Sequence, residues 1–211
     1  MPLLVARATG RTPATSGRGA DLSEFGRIKL VTAAHPWPVH THSACAGWAM
    51  TPLGRVLLVV SDEHLAGLYF DEHPRTPALE GLQRRESDAV IRVRTELHEY
   101  FDGIRISFST PLLLEGTAFQ IAVWRALLEI PPGTTATYGE IARKLGRPLA
   151  ARAVGAANGR NPISIIVPCH RLVGADGGLT GYGWGLDRKR RLLELERRTL
   201  GCRAEVSSAR T

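Results

Sequence analysis

The run Ile165-Ile166-Val167-Pro168-Cys169-His170-Arg171-Leu172-Val173 sets a thiol, an imidazole and a guanidinium inside strongly β-forming apolar sequence. A free cysteine in such company ordinarily behaves as a small hydrophobe. Here Pro168 interrupts the strand and the charge of Arg171 has to be satisfied, so the cluster reads as a reactive site. Cysteine attacks as its thiolate, which needs a base or a positive field beside it, and His170 is the base at hand. Successive side chains of an extended strand point to opposite faces, so Cys169 and His170 are expected to communicate through water unless the chain turns sharply at Pro168. The imidazole in turn needs an orienting acid. Glu194 and Glu196 of the last helical stretch both qualify, on different helix faces.

A second feature is the run Ala150-Ala151-Arg152-Ala153-Val154-Gly155-Ala156-Ala157, which has almost no side chain long enough to read base edges from a major groove. Small residues let a helix approach a narrow surface such as the minor groove, with Arg152 as the one long cation able to enter a base stack. The same alanines would also serve ordinary helix packing. Charge favours the first reading. Residues 118–200 carry 13 basic against 6 acidic side chains, whereas residues 1–117 carry 12 against 13, so nearly all of the net +7 belongs to one segment. A basic region appended to a neutral one points to a polyanion, nucleic acid before an anionic membrane.

The elements that must hold these residues follow from pattern. Residues 1–43 mix Gly, Pro, Ser, Thr and Arg without periodicity and read as a disordered extension. Thr51-Pro52-Leu53-Gly54 reads as a turn, and the apolar runs Val56–Val60 and Leu65–Phe70 as two strands joined by a polar loop. Ala89, Val90, Val93, Leu97 and Tyr100 recur at helical spacing up to Gly103. Leu112–Gly116 then links to a helical region: one helix from a Thr117 cap to the stop at Pro131-Pro132-Gly133, a second over Tyr138–Leu145 capped by Thr137 or Thr135, a third over Ala150–Asn158 after the Gly146-Arg147-Pro148 turn, and a last over Arg188–Arg198. The second and third form a helix-turn-helix. The fold class is therefore α+β, with residues 44–115 and 116–200 as its two domains and residues 201–211 as a tail.

Several classes drop out. No stretch approaches the roughly 18 apolar residues of a membrane span, and the opening residues are too short for a secretory core. Three cysteines, Cys45, Cys169 and Cys202, are an odd count, which argues for reduced thiols and a cytoplasmic setting. His35, His40, His42 and Cys45 cluster, yet their spacing fits no standard zinc pattern, and no metal is expected. The sequence has neither a phosphate loop nor a dinucleotide fingerprint, so no cofactor is expected either.

From Gly116-Thr117-Ala118-Phe119-Gln120 through Val123-Trp124, Ile130-Pro131, Tyr138-Gly139, Ile141-Ala142, Arg152-Ala153-Val154, Ala157-Asn158 and Asn161 to Pro168-Cys169-His170-Arg171, the chain closely resembles the O6-alkylguanine-DNA alkyltransferases. Thr51-Pro52-Leu53-Gly54 and Tyr100-Phe101-Asp102-Gly103 resemble that family's ribonuclease-H-like N-terminal domain, which precedes a winged-helix-like helix-turn-helix domain. The resemblance implies single-turnover transfer of an alkyl group from O6-alkylguanine in double-stranded DNA, bound as a monomer through the minor groove, onto Cys169. It implies His170 as the base acting through water, Glu196 rather than Glu194 as the acid that holds it, and Asn161 as a brace. Arg152 would fill the space of the extruded nucleotide, Tyr138 would turn its phosphate, Arg171 and Leu172 would contact DNA or base, backbone near Gly183 would line the base pocket, and Lys189 would support the last helix. Trp184-Gly185 departs from the Gly-Gly of many relatives toward the Ada-type bacterial branch, and the indole is expected to narrow the pocket against large adducts.

Three rival readings are weaker. A cysteine hydrolase would leave the basic segment and the small-residue helix without purpose. A non-catalytic damage-binding module would not keep Cys169, and an Ada-type regulator would need an additional metal-binding domain rich in cysteine.

Overall fold

The computed structural model describes residues 27–32, 44–71 and 83–208. Three strands of the first half, β2 (Cys45–Thr51), β3 (Gly54–Ser61) and β4 (His64–Phe70), form an antiparallel meander. Thr51 closes the first turn by donating its hydroxyl to the Gly54 carbonyl at 2.6 Å. Asp62 and Glu63 close the second with φ of 48° and 63°, the two left-handed residues of a tight hairpin turn whose twist matches the strands. Helix α1 (Asp88–Phe101), capped by Ser87, lays Ala89, Val90, Val93, Leu97 and Tyr100 onto this sheet, the face its spacing predicts.

The sheet is larger than the sequence pattern suggests. Among the described residues it has six strands, in the order β1 (Ile28–Thr32), β6 (Leu112–Gly116), β4, β3, β2 and β5 (Gln83–Arg84). The expected linker Leu112–Gly116 is a strand, β6, with Leu112, Leu113, Leu114 and Gly116 buried. Residues Ile28–Thr32, expected within a disordered extension, form β1 and pair parallel with β6 along its whole length. The remainder of residues 1–43, apart from Arg27, lies outside the described residues. The last helix, α5 (Leu186–Ser208), likewise runs through most of the segment expected to be a tail.

The second half is helical. A reciprocal capping box between Thr117 and Gln120 starts α2 (Ala118–Leu128), and a second between Thr137 and Glu140 starts α3 (Tyr138–Lys144), which selects Thr137 over Thr135 as its cap. Gly146, at φ +69°, makes the reversal into α4 (Ala151–Asn158), a conformation other side chains resist. Trp124 of α2 ties α4 in place by donating its indole N–H to the Ala157 carbonyl at 3.0 Å. Beside the helix-turn-helix, β7 (Ala136–Thr137) pairs parallel with β8 (Leu172–Val173). No helix among the described residues is long and apolar enough to cross a membrane.

One backbone junction joins the halves. β4 meets β6 only at Leu65–Leu112, which leaves its C-terminal half open on that edge. The segment after α4 takes the place: Leu68 donates its N–H to the Pro162 carbonyl at 2.8 Å and accepts from the Ser164 N–H at 3.2 Å, with Ile163 bridged to Leu68. The fully buried Leu68 side chain thus packs where the sheet and the reactive segment meet. Leu68→Ala is expected to lower stability by about 2–5 kcal/mol, measured by urea denaturation, and a loss under about 1 kcal/mol would show that the junction tolerates a cavity.

Candidate active site

The reactive run is not a strand before Leu172. Ile163 docks on β4, and the chain then folds through two three-residue turns. Ile166 donates its N–H to the Ser164 carbonyl at 2.8 Å across Ile165, whose φ of +70° is rare and strained for a β-branched residue. Cys169 donates to the Val167 carbonyl at 2.8 Å across Pro168, at φ −82° and ψ 62°, the relaxed mirror form of the same turn. A single 3₁₀ turn over Cys169–Arg171 follows, so successive side chains project about 120° apart instead of alternating. The chain thus turns sharply at Pro168, the alternative left open for Cys169 and His170. Asn161 spans the bend, with its Nδ2 donating to the Val167 carbonyl at 2.8 Å and its Oδ1 accepting from the Ile163 N–H at 3.0 Å.

A buried carboxylate organises the surroundings. Glu196 Oε1 lies 2.9 Å from His170 Nε2 and accepts from Arg171 Nη2 at 2.8 Å and the Tyr100 hydroxyl at 2.9 Å, while Oε2 accepts from the Gly133 N–H at 2.9 Å. Gly133 can offer that N–H because it occupies φ +71° after Pro131-Pro132. Glu194 is exposed, two residues away on another face of α5, so the structure distinguishes the two acids that spacing left open. Arg171 also donates to the Ile130 carbonyl. Its side chain is therefore turned into the protein, where Glu196 holds the guanidinium. Leu172 is also turned inward. Its side chain is buried, its N–H bonds the Cys169 carbonyl and its carbonyl accepts from Lys189.

Burial and pairing set the protonation states. Burial pushes the Cys169 thiol up to about 11, although a hydrogen bond from Asn161 and the charge of Lys189 pull it down. Burial also lowers His170, against the upward pull of Glu196. For Glu196 burial pushes upward, but hydrogen bonds from His170 and Arg171 prevail and hold the carboxyl far below the usual carboxylate range. Near neutral pH the centre therefore holds a thiol, a neutral imidazole and a carboxylate. With Glu196 accepting the Nε2 proton, the lone pair of His170 lies on Nδ1, which has no hydrogen-bond partner among the described residues.

The other expected residues surround this centre. Tyr138, half-buried at the start of α3, packs against Gly155 of α4 and donates its hydroxyl to the Thr180 carbonyl at 3.2 Å. Burial and the field of Cys169 both raise its phenol. Arg152 is exposed on α4, one turn before Gly155, and Gly183 is exposed between the buried Tyr182 and Trp184. Trp184 is turned toward the N-terminal sheet. Its ring packs against β4, 6.3 Å from the Tyr69 ring and 5.6 Å from that of Phe70. Of the suspected metal cluster, only Cys45 lies among the described residues, and its thiol meets the Ser87 hydroxyl at 3.4 Å.

Comparison with known proteins fits this centre. Residues 118–198 match the DNA binding domain of 6-O-methylguanine DNA methyltransferase, and residues 45–114 match its ribonuclease-like domain. A methylated-DNA–protein-cysteine methyltransferase of Mycolicibacterium paratuberculosis is 49% identical over 148 residues, 70% of this chain and 89% of that protein. The chain belongs to the 6-O-methylguanine DNA methyltransferase family. Within the family, a protein of the same name from Haemophilus influenzae is 45% identical over 70% of this chain and 83% of its own. The crystal structure of Mycobacterium tuberculosis O6-methylguanine methyltransferase superposes with a TM-score of 0.68 at 44% identity, covering 74% of this chain and 94% of that one. A structure of the Mycobacterium tuberculosis OGT in complex with DNA superposes at 0.65, with 44% identity over 74% and 93% of the two chains.

Three members of this methyltransferase centre escape a reading of the sequence. Tyr100 reads as one more apolar position of α1, and Gly133 as a helix stop. Lys189 reads as a support for its helix, yet it is buried and donates to the Thr180 carbonyl at 2.5 Å and to that of Leu172. Burial lowers its ammonium to about 8.

Glu196→Gln removes the anion between Arg171 and His170 and is expected to lower stability by about 3–5 kcal/mol, because it strands a buried cation. The pH dependence has a definite sign. The Glu196 contribution is complete above its ordinary value of 4.5 and is lost as pH falls toward its depressed folded value. His170 resists protonation in the fold, so its contribution declines below its ordinary 6.5. Denaturation at pH 7, 5.5 and 4 should show stability falling progressively, and a flat profile would contradict the assigned states.

Proposed function

We infer that this protein repairs alkylated DNA by moving the alkyl group of an O6-alkylguanine irreversibly onto Cys169. The observation that carries the inference is a buried thiol beside a neutral imidazole whose outer nitrogen is fixed by a carboxylate, in a family of this activity. Cys169 gives its proton to His170 Nδ1 through a water molecule, and the sulfur attacks the alkyl carbon. The S–C bond forms as the C–O6 bond breaks, the electron pair leaves on guanine, and the released proton restores the neutral base. The thioether has no good leaving group at neutral pH, so one protein repairs one base.

Positive charge and small residues support duplex DNA as partner, bound by a monomer through α4 in the minor groove. Arg152, the exposed cation of α4, would fill the gap left by an extruded nucleotide, and Tyr138, which meets α4 and Thr180, would turn the phosphate. Asn161 braces the cysteine, and Gly183 borders the base. We assign residues 44–115 to scaffolding and 116–200 to recognition and chemistry. A reducing cytoplasmic location fits the free thiols of Cys45, Cys169 and Cys202.

Incubation with a duplex holding one O6-methylguanine should add a single methyl mass to the Cys169 peptide and never a second, and Cys169→Ser should remain unmodified. Absence of the adduct with retained lesion binding would overturn transfer. Arg152→Ala should slow transfer from duplex by about ten- to a hundredfold and from a single strand much less, since only the duplex demands extrusion. Equal losses on both would remove Arg152 from that role.

A further inference from the structure

The loop Thr180–Gly185 leads directly into α5, and two neighbouring residues of that helix grip its ends. Lys189 donates to the Thr180 carbonyl, joined there by the Tyr138 hydroxyl. Arg188 takes the other end, donating from Nη1 to the Trp184 carbonyl at 3.0 Å. Its Nε donates to the Leu53 carbonyl at 2.9 Å, in the turn between β2 and β3. The face of the same guanidinium lies 4.6 Å from the Phe70 ring centroid, and Phe70 is one of the two β4 rings that pack on Trp184. One planar cation thus touches the N-terminal hairpin turn, an aromatic residue of its sheet and the backbone of the loop.

We propose that Arg188 is a positioning residue for lesion capture, clamping Trp184 to Leu53 and Phe70 so that the ribonuclease-like domain holds the base-pocket loop in shape without touching the base. The assignment rests on the proposed function for its kinetic consequence, not for its structural one. Glycines at 181, 183 and 185 leave the loop little stiffness of its own, and Gly181 and Gly185 occupy φ of +62° and +94°. Tyr182, buried between them, has a hydroxyl without a hydrogen-bond partner among the described residues, so its position depends on the loop ends. The loop is therefore ordered from outside, by Lys189 at its start and by the Arg188–Trp184–Phe70 stack at its end. The bulk of Trp184 then acts as an anchor into the sheet.

The test uses the full chain as wild type, Arg188→Ala, Arg188→Lys, Phe70→Leu and the Arg188→Ala/Phe70→Leu double variant. Hydrogen exchange should show the 180–185 amides of Arg188→Ala exchanging about tenfold faster, with α3 and α4 unchanged. Methyl transfer from an O6-methylguanine duplex should need about tenfold more duplex to reach half-maximal rate, the maximal rate falling less, while affinity for unmodified duplex is retained. Arg188→Lys should stay defective, because an ammonium cannot bond both carbonyls and lie on the ring, and the Phe70 and Arg188 losses should be less than additive. Unchanged loop exchange in Arg188→Ala would overturn the clamp, as would full rescue by lysine or an equal loss of affinity for unmodified DNA. If wild type transfers no methyl group, the proposed function fails, and the exchange data still decide the clamp.

Discussion

The buried carboxylate of Glu196 is the constraint on which the rest of the structure depends. It accepts hydrogen bonds from α1 through Tyr100, from the loop after α2 through Gly133, and from the 3₁₀ turn through Arg171 and His170. A carboxylate sealed from water is tolerable only when its lone pairs are occupied and its charge is opposed, and this one meets both conditions. Arg171 supplies the opposing charge, so the imidazole can stay neutral and still be oriented. Had His170 been the sole cationic partner, the ion pair would have consumed the lone pair that a base needs.

The N-terminal sheet matters to the chemistry through its backbone. The open edge of β4 accepts the segment around Ile163 as a short added strand, which fixes where the bend toward Cys169 begins. From there one strained and one relaxed three-residue turn bring the thiol onto a 3₁₀ turn within six residues. Strain at Ile165 persists because Asn161 and the Leu68 hydrogen bonds over-determine the loop on both sides. Arg188 binds the last helix to the same sheet through the Leu53 carbonyl and the Phe70 ring, while Lys189 binds it to the carbonyls of Leu172 and Thr180.

What the sequence discloses is local, and what it conceals is pairing at long range. The capped helices of the second half announce themselves through Thr117 and Thr137, and the hairpin strands through apolar runs bounded by turn residues. β6 is missed because a buried parallel strand lacks alternation, and β1 because its partner lies about eighty residues downstream. Cys169 and His170 are legible from residue type, whereas the roles of Arg171 and Trp184 are not. An arginine in a basic region suggests DNA, and only the fold reveals a carboxylate twenty-five residues away that claims it. An aromatic residue in a glycine loop suggests a pocket wall, and only the fold brings Tyr69 and Phe70 against it.

The same low dielectric governs the cysteine, the histidine and the lysine, and it moves each toward its uncharged form. For an enzyme that turns over, a thiol raised to about 11 would be a handicap. For a protein used once, it has a different value. A permanently ionised Cys169 would react with any small electrophile and be lost before meeting a lesion, whereas a buried thiol is spared until a substrate occupies the site. Its proton must then leave as transfer occurs, passing to His170 while the sulfur bonds the alkyl carbon. Reactivity in this arrangement is conditional on occupancy, and the burial that suppresses it at rest is also what makes the Glu196–His170 pair strong enough to release it.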